Sequence, residues 1–216
     1  MGVVLDHFDL FWHGFVKTLG ICLWAGAGAV VLGTLLAAFR VSPVPPLRWT
    51  GTAYVTLVRN CPLTVVLFFV AFGLPEVGVN QSYYRFAVTG LIIYTAAFVC
   101  EAVRSGINSV PAGQAEAARG IGLTFGQSFR FVVLPQALRS VVPPLGSVLI
   151  AMVKNSAIVG AFGVGGELFN VGATLTGAQG FAALPVLTGV VLGYLAITIP
   201  AGLSLQVLER KVAVAR

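Results

Sequence analysis

The chain has 216 residues, of which 57% are hydrophobic and 9% charged, with a mean hydropathy of +0.94. This excludes an ordinary soluble domain and points to a bilayer as its solvent. The formal charge of +6 does not mark a nucleic-acid binder, because the thirteen Lys and Arg are scattered between apolar runs and form no basic stripe with exposed aromatics. At about 20 apolar residues per span, the length holds five spans and no soluble catalytic domain.

The first residues, Met1 to Phe15, carry Asp6 and Asp9 but not the basic run of a secretory leader, so the first span is expected to be retained. Apolar stretches follow at residues 15–39, 54–74, 86–103, 145–162 and 184–208, each bounded by polar residues or by Pro and Gly. Runs such as Val65 to Ala71 are apolar at every position, unlike the alternation of a barrel strand. The predicted fold is an all-α, polytopic membrane protein forming a single transmembrane domain over residues 1–216.

Within the first span, Gly26, Gly28 and Gly33 suit close helix packing, and no Gly-x-x-x-x-Gly-Lys-Ser/Thr phosphate loop occurs anywhere. The second span opens with Arg59, Asn60 and Thr64. Arg59 is placed either to reach the interface or to line a pocket. Thr64 is placed to bond its own backbone or a ligand. Cys22, Cys61 and Cys100 show no CxxC spacing and read as small hydrophobes, so no metal site is predicted. Neither HExxH, GxSxG nor a close carboxylate pair is present, and no catalytic residue is assigned.

Arg40 and Arg48 follow the first span, Arg104, Arg119, Arg130 and Arg139 the third, and Arg210, Lys211 and Arg216 the fifth. The positive-inside rule then puts the N-terminus outside and the C-terminus inside. The long cytoplasmic loop, residues 105–142, contains helix formers from Gln114 to Ile121, a break at Gly122 and a second helical run from Thr124 to Leu134 before Pro135. It is predicted to fold as two short helices joined at a glycine, the second presenting Phe125, Phe129, Val132 and Val133 on one stripe.

In the fourth span Lys154 lies ten residues beyond Pro144, roughly 15 Å deep and near the midplane. Asn155 and Ser156 follow it. A charge there is costly and is a functional candidate by default. The open readings are an ion pair with Glu101 or Glu167, snorkelling to an interface, or contact with a substrate carboxylate.

The loop carries Glu116-Ala117-Ala118, three residues, Gly122, nine residues, then Val132-Val133-Leu134-Pro135. This resembles the EAA loop of ATP-binding-cassette importer permeases, with Val132 where the family has Ile. Its flanks, including Arg59-Asn60-Cys61-Pro62-Leu63 and Lys154-Asn155-Ser156, are similar to the polar amino-acid subgroup, although Asn60-Cys61 replaces a more usual Gly-Thr. The resemblance implies that Glu116, Ala117, Ala118, Gly122, Leu134 and Pro135 couple the chain to a separate ATPase subunit, which holds the ATP and Mg while this chain binds no cofactor. It further implies a second permease chain, identical or related, an extracytoplasmic amino-acid-binding protein, and a place in the bacterial cell membrane. Lys154, Asn155, Ser156, Arg59, Asn60 and Thr64 are the candidate substrate contacts.

The interior carries basic groups and amides but no midplane carboxylate, which disfavours lysine or arginine as cargo. Glutamate is the expected cargo, with glutamine and aspartate in the same class. The competing class is an ion-coupled secondary transporter or channel, against which the EAA spacing argues.

Overall fold

The computed structural model describes residues 2–161, 163 and 165–212, and among these every regular element is a helix. A short α1 (Gly2–Asp6) leads into α2 (Phe8–Val41), 34 residues long. At about 1.5 Å per residue α2 outreaches the roughly 30 Å of hydrocarbon, so its ends enter the headgroup region. Extended backbone at Ser42 ends it, and Pro45 and Pro46 open α3 (Pro45–Arg59), where the first turn needs no N–H donor.

The stretch expected as one span at residues 54–74 is a corner. α3 stops at Asn60, and α4 (Leu63–Glu76) leaves at 106° to it after Pro62. Pro62 lacks the N–H that would continue the ladder and disfavours helical backbone at Cys61. Mainly apolar residues flank the break on both sides of Arg59 to Pro62, which is why the pattern joins the two helices. α5 (Tyr83–Asn108) begins where the Arg85 N–H donates to the side chain of Ser82.

The loop's first helix, α6 (Ala112–Gly120), is where the spacing puts it. Gly122 closes it with φ +91°, its N–H donating to Arg119 O at 2.9 Å while Leu123 N–H donates to Ala118 O at 3.1 Å. This paired closure needs left-handed backbone, which any side chain resists. Thr124 starts the next helix through a reciprocal capping box with Gln127. That helix does not end at Pro135. It continues as α7 (Phe125–Ala161), so the span expected at residues 145–162 begins much earlier. A π-turn at Phe129–Val133 loosens the hydrogen-bond ladder just where Pro135 offers no donor. Phe162, the expected end of that span, and Arg216 lie outside the described residues.

α8 (Leu168–Ala173), extended by a π-turn at Thr174–Ala178, dips back against α2, α7 and α9 (Ala183–Val212). Among the described residues, four helices are long and apolar enough to cross a membrane, and five if the bent α3–α4 pair is counted as one span.

α2 and α5 form the most extensive pairing. A Cβ added at Gly28 would sit 2.4 Å from Ile92 and one at Gly33 2.6 Å from Val99, so these glycines do permit close helix approach. The main core joins Ile21, Ala25, Leu67, Val70, Leu91 and Met152 from four helices. Burial is uneven: 56% of the apolar window of α5 is covered, against 17% in each of the helices containing α7 and α9. α5 is therefore the central post, while α7 and α9 keep a broad apolar flank for lipid or another chain.

Candidate functional site

Successive turns of α5 present Tyr94, Thr95, Phe98 and Glu101 along one side. At the Glu101 end, its carboxylate is shared by three guanidiniums. Arg40 from the end of α2 makes the tightest contact, Arg59 from the end of α3 stands at 3.5 Å, and Arg104 one turn further along α5 at 3.7 Å. Three cations around one anion leave surplus positive charge. Arg40 is 13% exposed, Arg104 40% and Arg59 46%, and of the two open arginines only Arg59 lines the adjacent space. Its guanidinium lies 5.7 Å from the centre of the Phe98 ring, within cation–π range. Arg59 and Asn60, with Thr56 and Glu101, line a polar space of about 340 Å³ closed on one side by Phe98. The Asn60 amide donates to Thr56 O at 2.7 Å, which holds the corner in shape. Thr64, beyond the corner, is exposed and lines neither this space nor the next.

On the far side of Phe98 lies a second space, about 150 Å³, between α5 and α7, lined by Tyr94, Thr95, Met152 and Asn155. The fold thus brings together two candidate groups some 95 positions apart in sequence, Arg59-Asn60 and Asn155, on either side of one phenylalanine. Lys154, beside Asn155, is exposed and makes no ion pair among the described residues. Glu101 is occupied by arginines and Glu167 by hydroxyls, so neither of the two expected carboxylates takes it. Ser156 points the other way: it is fully buried, donates to Val153 O at 2.8 Å and lies 3.4 Å from Tyr194 Oη.

Glu167 is the residue whose position the sequence misjudges. It is the only charge between Gly163 and Ala183, outside every expected span, yet it is 0% exposed. Tyr194 Oη donates to its carboxylate, Thr18 Oγ1 does so at 3.1 Å, and Asn170 N–H donates at 3.1 Å. Burial pushes this carboxyl up from its ordinary value, against the downward pull of those donors. A Cβ on Gly160 would collide with Glu167, so α7 also makes room for it. The available hint was the glycine run before Glu167, which lets the chain fold back inward.

On the α6–α7 hairpin Ala118 is buried, Leu134 is half-buried, and Glu116, Ala117, Gly122 and Pro135 face outward. Among the described residues Glu116 has no side-chain hydrogen bond or ion pair. Ile121 and Phe125 are each 80% exposed, a concentration of apolar surface on a polar loop.

Residues 29–214 match the family described as binding-protein-dependent transport system inner membrane component. The chain belongs to that family. The permease is 39% identical to the probable glutamine ABC transporter permease protein GlnM of Bacillus subtilis, over 98% of this chain and 97% of that one. It is 41% identical to the glutamate transport system permease protein GluC of Corynebacterium glutamicum, over 93% and 92% respectively. It superimposes on an amino acid ABC transporter crystallised with histidines with a TM-score of 0.90, at 29% identity over 97% of both chains. Against the MetNI methionine ABC transporter the TM-score is 0.77, at 26% identity over 97% of this chain and 99% of that one. The permease is an inner-membrane, multi-pass subunit of an amino-acid ABC importer, and its relatives are permeases, not enzymes.

Proposed function

We propose that the permease carries glutamate across the membrane by alternating access, driven by a separate ATPase subunit that grips the α6–α7 hairpin. The observation that carries this reading is Lys154, an exposed cation with no ion-pair partner among the described residues, in a predominantly apolar stretch of α7. Such a charge is expensive against lipid and useful against a carboxylate. With only 17% of the apolar window of its helix covered, Lys154 calls for a second permease chain across from it, so that the lysine lines a path between two subunits. Arg59, Asn60, Thr64, Asn155 and Ser156 are the accompanying candidate contacts, Ser156 acting from behind through the helix. In this reading the Glu101 end faces the cytoplasm, the N-terminus lies outside and the C-terminus inside, and a binding protein delivers cargo from the other side. ATP and Mg sit on the ATPase.

Glutamine is the second reading, favoured by the relative named for it at 39% identity. The test is the reconstituted complex with its binding protein, assayed for ATP hydrolysis and uptake with each amino acid. Glutamate is expected to stimulate both, and Lys154→Met to lower uptake at least tenfold while the complex still assembles. Stimulation by glutamine alone would replace the cargo, and full uptake by Lys154→Met would remove the lysine from the path.

A further inference from the structure

Thr95 Oγ1 is the one buried side-chain oxygen or nitrogen among the described residues that lacks a hydrogen-bond partner. The residue is 3% exposed. Several threonines in these helices turn back to the carbonyl four residues earlier, as Thr50, Thr174, Thr188 and Thr198 do at 2.8–2.9 Å. Thr95 does not. A buried hydroxyl left unmatched is costly, and in native proteins such an atom calls for a specific explanation.

Its surroundings supply one. Thr95 lines the space of about 150 Å³ between α5 and α7, and the Asn155 amide, which makes no hydrogen bond among the described residues, lines the same space. These two polar groups therefore border one small cavity whose other walls are Tyr94 and the apolar Phe98, Val148, Ala151 and Met152. No carboxylate borders it, so nothing there would hold a cationic group. A hydroxyl and a primary amide both donate to an oxygen, and the apolar walls suit a short methylene stem.

We infer that this cavity is the subsite for the side-chain end of the cargo, with Thr95 Oγ1 and Asn155 Nδ2 donating to a carboxyl or carboxamide oxygen. The inference rests on the reading that an amino acid passes along the α5–α7 face. Because both donors are neutral, the subsite recognises the oxygen and leaves the charge to Lys154. Thr95 then excludes side chains of similar length that end without an oxygen, since binding one leaves the hydroxyl unmatched. Phe98 separates this subsite from the arginine-lined space beyond it.

The test is equilibrium binding of glutamate, glutamine and methionine to the detergent-purified permease–ATPase complex, for the parent, Thr95→Val and Thr95→Ser, with uptake measured on the same preparations. Methionine has a comparable length and no terminal oxygen. Thr95→Val is expected to weaken glutamate and glutamine about tenfold, the loss of one hydrogen bond to the ligand. Methionine should bind more tightly, since Val leaves no hydroxyl unmatched, and Thr95→Ser should bind like the parent. Thermal stability should not fall, since Val removes an unmatched hydroxyl at nearly constant volume. A purely structural role predicts the opposite, a less stable complex with intact selectivity. If Thr95→Val assembles poorly, Asn155→Leu carries the same comparison from the other wall. Weakening of glutamate alone or of glutamine alone identifies the carboxylate or the carboxamide as the bound group, and either supports the subsite. Unchanged affinities in a Thr95→Val complex that still takes up cargo overturn the subsite alone and leave the cavity to water. A parent that neither binds nor takes up either amino acid overturns the cargo reading and the subsite with it.

Discussion

Glu101 and Glu167 are acidic residues of the same type in the same apolar bundle, and the fold treats them in opposite ways. Glu101 is 26% exposed and ringed by three arginines. Glu167 has no exposure and receives only neutral donors from Thr18, Tyr194 and the Asn170 amide. The first arrangement joins α2, α3 and α5 by charge near water and leaves positive charge to spare. The second fastens α8 to α2 and α9 by hydrogen bonds in a sealed interior. An apolar bundle can keep a carboxyl either by surrounding it with counter-charge or by matching each oxygen with donors, and only the first leaves a site open to an anion.

The comparison breaks most easily at Glu101. Glu101→Gln leaves three guanidiniums with no common anion, one of them on Arg40 at 13% exposure. The expected cost is about 3 kcal/mol, the low end for breaking a buried pair because the site is partly wet. Thermal melting of the purified complex checks this, and a melting point within a degree of the parent would show that the arginines do not depend on Glu101. Glu167→Gln should cost less, about 1–2 kcal/mol, since the amide keeps one acceptor oxygen but presents N–H groups to Thr18 or Tyr194. A larger loss than for Glu101→Gln in the same assay reverses the ranking of the two sites.

The smallest effect concerns pH. Burial raises the folded Glu167 carboxyl above its unfolded value, so its contribution is fully present below the unfolded value and is lost as pH rises through the folded one. Melting curves of the parent and Glu167→Gln across that window should converge as pH increases. Parallel curves would mean that Glu167 is not titrating there. At the coupling end, Gly122→Val forces a β-branched residue into φ +91° and should weaken retention of the ATPase without altering membrane insertion. Unchanged co-purification of the ATPase would detach the hairpin from that role.

Some of this architecture is legible in local pattern. The spans at residues 15–39, 86–103 and 184–208 fall inside α2, α5 and α9, because a bilayer demands length and apolarity that the chain cannot hide. Gly122 as a helix stop is equally local, since its left-handed backbone concerns only its immediate neighbours. The Thr124–Gln127 capping box was a readable signal for the start of α7, whereas Pro135 misled: proline usually ends a helix, and here a π-turn absorbs it. Cys61-Pro62 marked the corner, but the apolar runs on either side of it outweighed it.

The sequence alone settles what kind of solvent the chain needs, how many times it can cross that solvent, and through Glu116 to Pro135 which family it belongs to. These depend on composition and on spacing along the chain. The burial of Glu167 against Thr18, 149 positions away, the clasp of Arg40 on Glu101 across 61, and the meeting of Arg59 and Asn155 around Phe98 follow from none of it. Polar partners in a bundle are chosen by which helix faces come into register, and that is decided by packing of whole helices, to which any single polar residue contributes little.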